Sequence, residues 1–158
     1  PEPWAPPVVT QVPYNLLTRG IERECLPFCR QYRMGVAVYN PLAGGYLTGK
    51  YRPEERPGAG ARLGESEAYY QRYWKDANFR ALSRLEDIAS QAGLTMVELA
   101  LRWLLAQDVV DSILLGARTP EHLSTNLRAL EGSLDAATLA ACDEAWDIVR
   151  GVDFQYNR

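Results

Sequence analysis

A short apolar run that ends in Asn-Pro and leads into a glycine-rich loop is the feature that most restricts the fold. Residues 35–39 are Gly-Val-Ala-Val-Tyr, a run typical of a strand buried on both faces of a parallel sheet. Asn40-Pro41 ends this strand because proline has no N–H to donate to a ladder. The following loop holds three glycines and Lys50, so backbone N–H groups and a cation can approach a ligand. The pattern predicts a binding loop, with a plain strand-to-loop turn as the alternative.

Two further strands and the helices between them indicate a parallel sheet. Residues 8–12 and 112–115 are apolar runs bounded by turn signals, which predicts strands at both places. Apolar residues recur at helical spacing from residue 21 to residue 32, and Pro27 predicts either a bend or a later start of this helix. Strand, helix, strand is the order of a parallel crossover unit.

The rest of the chain contains one long loop and several helix signals. Residues 53–64 are rich in proline, glycine and charge, which predicts a surface loop suited to closing over a site. A cluster of tyrosines and tryptophan at residues 69–74 predicts a short helix that packs over this loop, rather than a surface that stacks on a ligand. The other predicted segments are a connector at 1–7, helices at 76–92, 95–107, 119–130 and 135–149, and a tail at 151–158.

Charge and cysteine content exclude some classes of protein. The net charge of −3 argues against a nucleic-acid binder, which usually has a basic face. Three cysteines and one histidine form no metal-binding spacing, and free thiols favour a cytoplasmic protein. No apolar run reaches the roughly 18 residues that cross a membrane. Because the chain starts at Pro1, we expect it to be a piece of a longer protein.

The ends of the three predicted strands bring together groups that suit a nucleotide. Because the carboxyl ends of parallel strands lie at one edge of the sheet, Gln11, Tyr39 and Arg118 are expected to share a face. Arg118 precedes a helix N-terminus with unpaired N–H groups, which predicts a phosphate site. Tyr39 offers a flat surface for an aromatic ring, and Gln11 offers an amide for its edge. Lys50 and Arg62 add positive charge.

Each of these residues also has a purely structural reading. Gln11 is equally suited to bridging two strands. Tyr39 is equally suited to a core position at which its hydroxyl contacts water. Lys50 on a surface loop is more often solvated than bound to a ligand. Only their convergence at one edge favours the nucleotide interpretation.

Three segments carry a recognisable motif pattern. They are residues 11–15 with Arg19 and Glu22, residues 39–51, and residues 116–123 with Asn126. In order and spacing they resemble the aldo-keto reductase family over nearly all of the 158 residues, in the branch with aflatoxin-aldehyde reductases and potassium-channel β subunits. The resemblance implies an α/β fold, the C-terminal half of a (β/α)₈ TIM barrel with strands six to eight and a C-terminal helix, in one partial domain over residues 1–158.

The same resemblance implies an NADPH site. Gln11 would hydrogen-bond the nicotinamide carboxamide, and Tyr39 would stack on the nicotinamide ring. His122 stands where relatives often have Gln, so the resemblance leaves the preference for NADPH over NADH open. The other implied cofactor-binding residues are Asn40, Pro41, Leu42, Ala43 and Gly44 under the pyrophosphate, Lys50 and Arg62 at phosphates, and Gly116, Arg118, His122 and Asn126 at the adenosine 2′-phosphate and adenine.

The resemblance implies that this chain holds no catalytic residue of its own. In the family a Tyr donates the proton, helped by Lys, Asp and His, and all four come from earlier strands of the barrel. We therefore expect the chain alone to be inactive and to need a missing N-terminal half-barrel as its partner, with two strand edges bare without it.

Three functions stay open at this point. The first is NADPH-dependent reduction of a small aldehyde or ketone by the full-length protein. The second is a cofactor-binding regulatory module like the channel β subunits, and the third is a barrel enzyme that binds a phosphorylated substrate without nicotinamide. A homo-oligomer is also left open.

Overall fold

The computed structural model describes residues 5–151, which form a three-stranded parallel sheet with helices. The strands are β1 (Val9–Pro13), β2 (Gly35–Tyr39) and β3 (Ser112–Ile113), and β2 lies between the other two. The predicted α/β class and the parallel pairing are confirmed. The connector and tail were predicted at 1–7 and 151–158, and residues 1–4 and 152–158 of these lie outside the described residues.

Helices occupy most of the connections between the strands. The α-helices are α1 (Cys25–Tyr32), α2 (Arg62–Glu65), α3 (Glu67–Tyr73), α4 (Asp76–Gln91), α5 (Met96–Leu105), α6 (Pro120–Ala129) and α7 (Ala136–Arg150), and Gly20–Glu22 and Ala43–Thr48 are 3₁₀ helices. Of the two readings of Pro27, the later start is correct. Pro27 lies in the first turn of α1, where the missing N–H would have no helical partner.

The sheet is fully buried on one face only. Val36 and Val38 of β2 have no exposed surface, whereas Ala37 and Tyr39, which alternate with them, are half-buried. The prediction that β2 is buried on both faces is wrong for the described residues, because their helices cover one face and leave the other open. Successive residues of a strand point to opposite faces, so the open face carries Ala37 and Tyr39.

The third strand is shorter and less buried than predicted. Only Ser112 and Ile113 pair with β2, although the N–H of Leu114 still donates to the carbonyl of Val38 over 2.8 Å. Leu114 is 39% exposed. Among residues 5–151 this strand has a neighbour on one side only, which explains why its apolar residues are not enclosed.

A buried arginine joins the loop after β1 to the helical layer. The Arg19 guanidinium lies 4.8 Å from the centre of the Trp103 ring on α5. It also forms ion pairs of 2.7 Å with Glu22 and with Asp143 on α7. Glu22 in turn accepts a 2.6 Å hydrogen bond from the hydroxyl of Tyr14, and burial with this bond raises the pKa of Tyr14. These contacts hold the carboxyl end of β1 against α5 and α7.

No helix in residues 5–151 combines the length and the apolar character needed to span a membrane.

The thiols of Cys25, Cys29 and Cys142 are all free.

The start of α5 has a capping box that gives a test of stability against pH. The Glu98 carboxylate accepts a 2.8 Å hydrogen bond from the Thr95 N–H, and the Thr95 hydroxyl accepts one from the Glu98 N–H. The N–H of Thr95, then its hydroxyl, and the nearby Arg102 guanidinium lower the pKa of Glu98. A carboxyl whose pKa is lower in the folded state stabilises the protein above its unfolded pKa of about 4.3, and this contribution is lost as the pH falls through the lowered pKa.

Replacing Glu98 with alanine is therefore expected to lower the free energy of unfolding at pH 7 by about 1 kcal/mol. The difference from wild type should shrink as the pH falls below about 4 and through the lowered pKa of Glu98, because the wild-type carboxyl is then protonated and loses its interactions as a carboxylate. Urea unfolding at pH 7 and pH 3 measures both values. The matched control is Glu131→Ala, an exposed carboxylate between α6 and α7. An equal loss in both variants at pH 7 would contradict the capping role.

Candidate functional site at the carboxyl ends of the strands

The side chains of Gln11 and Tyr39 lie on the same face of the sheet. The register pairs Gln11 with Ala37 and Pro13 with Tyr39. In-register partners in a parallel pair point to the same side, and residues two apart in one strand do so as well. Both side chains therefore lie on the open face, with Gln11 exposed and Tyr39 half-buried. Within residues 5–151 the Gln11 amide has no protein hydrogen bond, so the strand-bridging alternative has no support.

The turn after β2 has an unusual backbone conformation. Asn40 and Ala43 have φ of 62° and 51°, in the left-handed region that residues other than glycine seldom adopt. Asparagine tolerates this region better than most side chains do. Gly44 and Gly45 continue the turn with φ of 66° and 91°. This conformation explains two glycines in succession and an asparagine directly after the strand.

The N–H groups of this turn are already used within it. The N–H of Ala43 donates to the carbonyl of Asn40 over 3.0 Å, and that of Gly45 to the carbonyl of Leu42 over 2.8 Å. The N–H of Gly44 donates to the Asn40 side-chain oxygen over 2.6 Å. The expectation that N–H groups of this loop approach a ligand is therefore wrong for these three residues. Their bonds instead fix the shape of the turn. The neighbouring Pro41 is also part of the turn and is buried.

Two cations that follow β2 lie over tyrosine rings, and one of them, Arg62, begins α2 rather than lying in a loop as predicted. The Lys50 ammonium is 5.0 Å from the centre of the Tyr51 ring, and the Arg62 guanidinium is 4.9 Å from the centre of the Tyr69 ring. Both side chains belong to exposed residues. Lys50 also faces the turn, since a Cβ at Gly45 would lie 3.7 Å from its nitrogen. Lys50 therefore lies beside the turn, as the sequence predicted.

The exit of β3 lies against the long loop. The Arg118 guanidinium donates a hydrogen bond to the carbonyl of Gly60, two residues before Arg62 in sequence. The buried Asn126 donates from its side chain to the carbonyl of Gly116 over 3.3 Å. Asn126 thus holds the backbone that carries Arg118. His122 is exposed on the first turn of α6.

The N-terminus of α6 is less open to an anion than its sequence predicted. Pro120 has no N–H, and the N–H of His122 donates to the Thr119 hydroxyl oxygen over 3.2 Å. The neighbouring N–H of Glu121 itself, and then the Thr119 hydroxyl, lower the pKa of the exposed Glu121 carboxyl. The expectation of a set of unpaired N–H groups at this end is therefore wrong. Positive charge for a phosphate here would come from Arg118.

A buried tyrosine hydroxyl contacts the turn, at a position that the sequence placed only in the aromatic cluster of residues 69–74. The hydroxyl of Tyr73, at the end of α3, accepts a 2.7 Å hydrogen bond from the Asn40 side-chain nitrogen. No motif spacing could have indicated this contact, because 33 residues separate the two positions. The aromatic cluster meets the predicted loop where the Arg56 guanidinium lies 5.3 Å from the centre of the Tyr70 ring, and it also packs on residues nearer the turn. Tyr46 in the turn stacks on Tyr73 with ring centres 6.0 Å apart, and Tyr51 meets the edge of Trp74 at 5.8 Å.

A cleft of about 390 Å³ lies elsewhere, between the loop after β1, the start of α4 and the end of α7. Arg19, Arg72, Lys75 and Trp146 are among the residues that line it, and the predicted cofactor-binding residues are not. The candidate site is the open face of the sheet, where Gln11 and Tyr39 lie.

Comparisons with known proteins bear on the family and the fold of this chain. The model of the Aldo/keto reductase family matches residues 2–147. Aflatoxin B1 aldehyde reductase member 2 of Rattus norvegicus is 37% identical over 92% of this chain and 44% of its own length. A probable voltage-gated potassium channel subunit beta of Oryza sativa subsp. japonica is 34% identical over 79% of this chain and 39% of its own length.

A solved structure has a fold similar to that of this chain. The glycerol dehydrogenase AKR11B4 from Gluconobacter oxydans superposes with a TM-score of 0.78 and 27% identity, over 98% of this chain and 47% of that one. The chain thus spans about half the length of the relatives it matches, and its sheet and helices correspond to part of a TIM barrel. From its motifs, its fold and these relatives, the chain belongs to the aldo/keto reductase family.

Proposed function

We propose that this chain is the cofactor-binding half of an oxidoreductase that uses NADPH to reduce aldehydes or ketones to alcohols. The observation that carries the proposal is the shared placement of Gln11 and Tyr39 on the open face of the sheet. Arg118 at the exit of β3 adds a cation near the same edge. An amide, a flat ring and a cation along one edge fit a dinucleotide with a phosphate on its adenosine.

The residues present fit the nicotinamide end of such a cofactor. The Tyr39 side chain is only partly buried, so part of its flat ring would be available for stacking on a nicotinamide. The Gln11 amide has both donor and acceptor capacity free within residues 5–151, which matches a carboxamide group. When bound, NADPH supplies the hydride. Tyr39 and Gln11 would hold the ring in one orientation, so that one face is presented to the carbonyl carbon.

The phosphate end would be held by the turn and by the cations around it. Residues 40–44 form a turn fixed by its internal hydrogen bonds, with Lys50 beside it. Arg118 and Arg62 would pair with phosphate oxygens, and His122 and Asn126 would lie at the adenosine end. Asn126 acts there through Gly116, whose carbonyl it holds.

The chemistry also needs a proton donor for the alkoxide that hydride transfer produces. We propose that this donor belongs to the part of the full-length protein that the present chain does not span, together with the carbonyl-binding surface. The half-barrel that carries it would pair with the free edges of β1 and β3.

A second candidate function is a cofactor-binding regulatory module. The similarity to the rice potassium-channel β subunit favours it. The two candidates differ in turnover and not in cofactor binding. The full-length protein would bind NADPH in both cases, and only the reductase would oxidise it in the presence of a carbonyl compound.

Titration of the full-length protein with NADPH tests the proposal. Tryptophan fluorescence is expected to fall in a saturable way, since four tryptophans are present in this chain alone. Glucose 6-phosphate at the same concentrations is the control, and it should leave the fluorescence unchanged. A response to the sugar phosphate but not to NADPH would contradict the proposal and favour a barrel enzyme for phosphorylated substrates. Loss of absorbance at 340 nm with an added aldehyde then separates the reductase from the regulatory module.

A further inference from the structure

The hydroxyl of Tyr73 is the centre of a buried hydrogen-bond network that joins two strand ends. Tyr73 is 1% exposed and ends α3. Its oxygen accepts from the side-chain nitrogen of Asn40 over 2.7 Å and from that of Asn15 over 3.4 Å. The Thr18 hydroxyl lies 3.3 Å away. Asn15 and Thr18 follow β1, and Asn40 follows β2, so one oxygen links the carboxyl ends of both strands to α3.

These contacts use the full hydrogen-bonding capacity of the phenol. A tyrosine hydroxyl has one proton to donate and two lone pairs that accept. The two asparagine side chains donate to the lone pairs, which leaves the proton for Thr18. The orientation of the hydroxyl is therefore determined by its surroundings.

The two asparagine amides are also fixed in orientation. The Asn40 side-chain oxygen accepts from the N–H of Gly44, so its nitrogen must face Tyr73. The Asn15 side-chain oxygen accepts from the N–H of Leu17 over 2.9 Å, and its nitrogen donates to the Asn40 carbonyl over 2.9 Å. Asn40 is thus held at its carbonyl by Asn15 and at its side chain by Tyr73 and Gly44.

We propose that Tyr73 is a positioning residue for cofactor binding, acting through Asn40 on the turn of residues 40–45. This inference rests on the proposed function, in which the turn holds the pyrophosphate. The turn has left-handed backbone conformations at several positions, which cost free energy unless surrounding contacts hold them. Without the Tyr73 hydroxyl, the Asn40 amide loses the partner that holds its oxygen against the N–H of Gly44.

Two neighbouring tyrosines provide matched controls. The rings of Tyr46, Tyr51 and Tyr73 form one cluster. The centre of the Tyr46 ring lies 6.0 Å from that of Tyr51 and 6.0 Å from that of Tyr73. Their hydroxyls are buried but have no hydrogen-bond partner among the described residues. Removing either hydroxyl therefore removes no bond to the turn, while removing that of Tyr73 does.

The first experiment measures the Kd for NADPH of the full-length protein by fluorescence. Tyr73→Phe keeps the ring and is expected to raise this Kd by about tenfold, the loss that one buried hydrogen bond of this kind accounts for. Tyr46→Phe and Tyr51→Phe are expected to change it by less than about twofold, because no bond is lost. The KM for the carbonyl substrate should stay unchanged in all three. Equal Kd values in the three variants would overturn the proposal.

A double-mutant cycle separates positioning from a general loss of stability. Asn40→Gly removes the side chain and suits the positive φ, so it is expected to raise the Kd for NADPH by about tenfold without backbone strain. If Tyr73 acts through Asn40, Tyr73→Phe in the Asn40→Gly background adds nothing further. Additive effects of about a hundredfold in the double variant would overturn the inference. Failure of the wild type to bind NADPH would instead refute the proposed function.

Hydrogen exchange of the Gly44 amide gives a readout that does not depend on the cofactor. This amide is expected to exchange faster in Tyr73→Phe than in wild type, and at the wild-type rate in Tyr46→Phe. Unchanged Gly44 exchange in Tyr73→Phe would show that the hydroxyl does not hold the turn.

Discussion

Replacing Arg118 with alanine is expected to weaken NADPH binding by about ten- to a hundredfold, and NADH binding by less than about threefold. The adenosine 2′-phosphate is the group that distinguishes the two cofactors, and a guanidinium bonds phosphate oxygens with charge-assisted hydrogen bonds. Arg118 is the residue proposed for this contact, because at the N-terminus of α6 Pro120 has no N–H and the N–H of His122 already donates to the Thr119 hydroxyl. Its present partner is the carbonyl of Gly60, which a phosphate would replace.

Fluorescence titrations with both cofactors measure this selectivity. Arg128→Ala is the matched control, since Arg128 is an exposed arginine in the last turn of the same helix. It should leave both affinities unchanged apart from a small long-range charge effect, which added salt removes. An equal loss of NADPH and NADH affinity in Arg118→Ala would refute the 2′-phosphate role and point to a general effect on the loop.

Replacing Gly44 with alanine is expected to destabilise the protein by about 3 kcal/mol and to abolish tight NADPH binding. Two effects add at this position. An alanine at φ of 66° is strained, and its Cβ would lie 2.6 Å from a carbon of the Tyr69 ring. Real contacts do not reach this distance, so either the turn or the ring must move. Since the turn carries the candidate phosphate-binding residues, a shift there would affect cofactor affinity.

Gly45→Ala separates the two effects. Its φ of 91° is also positive, but a Cβ there would meet only the Lys50 side chain at 3.7 Å, an ordinary contact. We expect a loss of about 1 kcal/mol in this variant, from backbone strain alone. In the Gly44→Ala background, Tyr69→Ala should recover part of the lost stability by removing the ring. Equal thermal shifts for Gly44→Ala and Gly45→Ala, with no recovery, would contradict the steric explanation.

Local signals in the sequence were sufficient for three helix starts and for the order of the strands, but not for α2, which begins within the loop predicted at residues 53–64. Thr95, Thr119 and Asp135 each cap a helix at the position where the sequence predicts its start, because a cap depends on residues three positions apart. The strand-helix-strand order likewise predicts a parallel sheet from the chain alone. The face shared by Gln11 and Tyr39 agrees with the convergence of strand ends that the sequence predicted.

Contacts between distant parts of the chain could not be predicted in this way. Whether β2 is buried on one face or on both depends on which helices pack against it. The apolar run in the sequence is the same in either arrangement. Tyr73 contacts Asn40 only because α3 returns to the end of β2. The use of the Gly44 N–H within the turn depends on the left-handed conformation of Asn40, which no motif encodes.

The two outer strands of the sheet set a condition on assembly. Among the described residues β1 and β3 each pair on one side only, and Val9 beside the open edge of β1 is 57% exposed. Backbone N–H and C=O groups along such edges gain hydrogen bonds when another strand is added. Any further strand that joins this sheet therefore has two separate edges at which it gains backbone hydrogen bonds, and each edge is a distinct place of assembly.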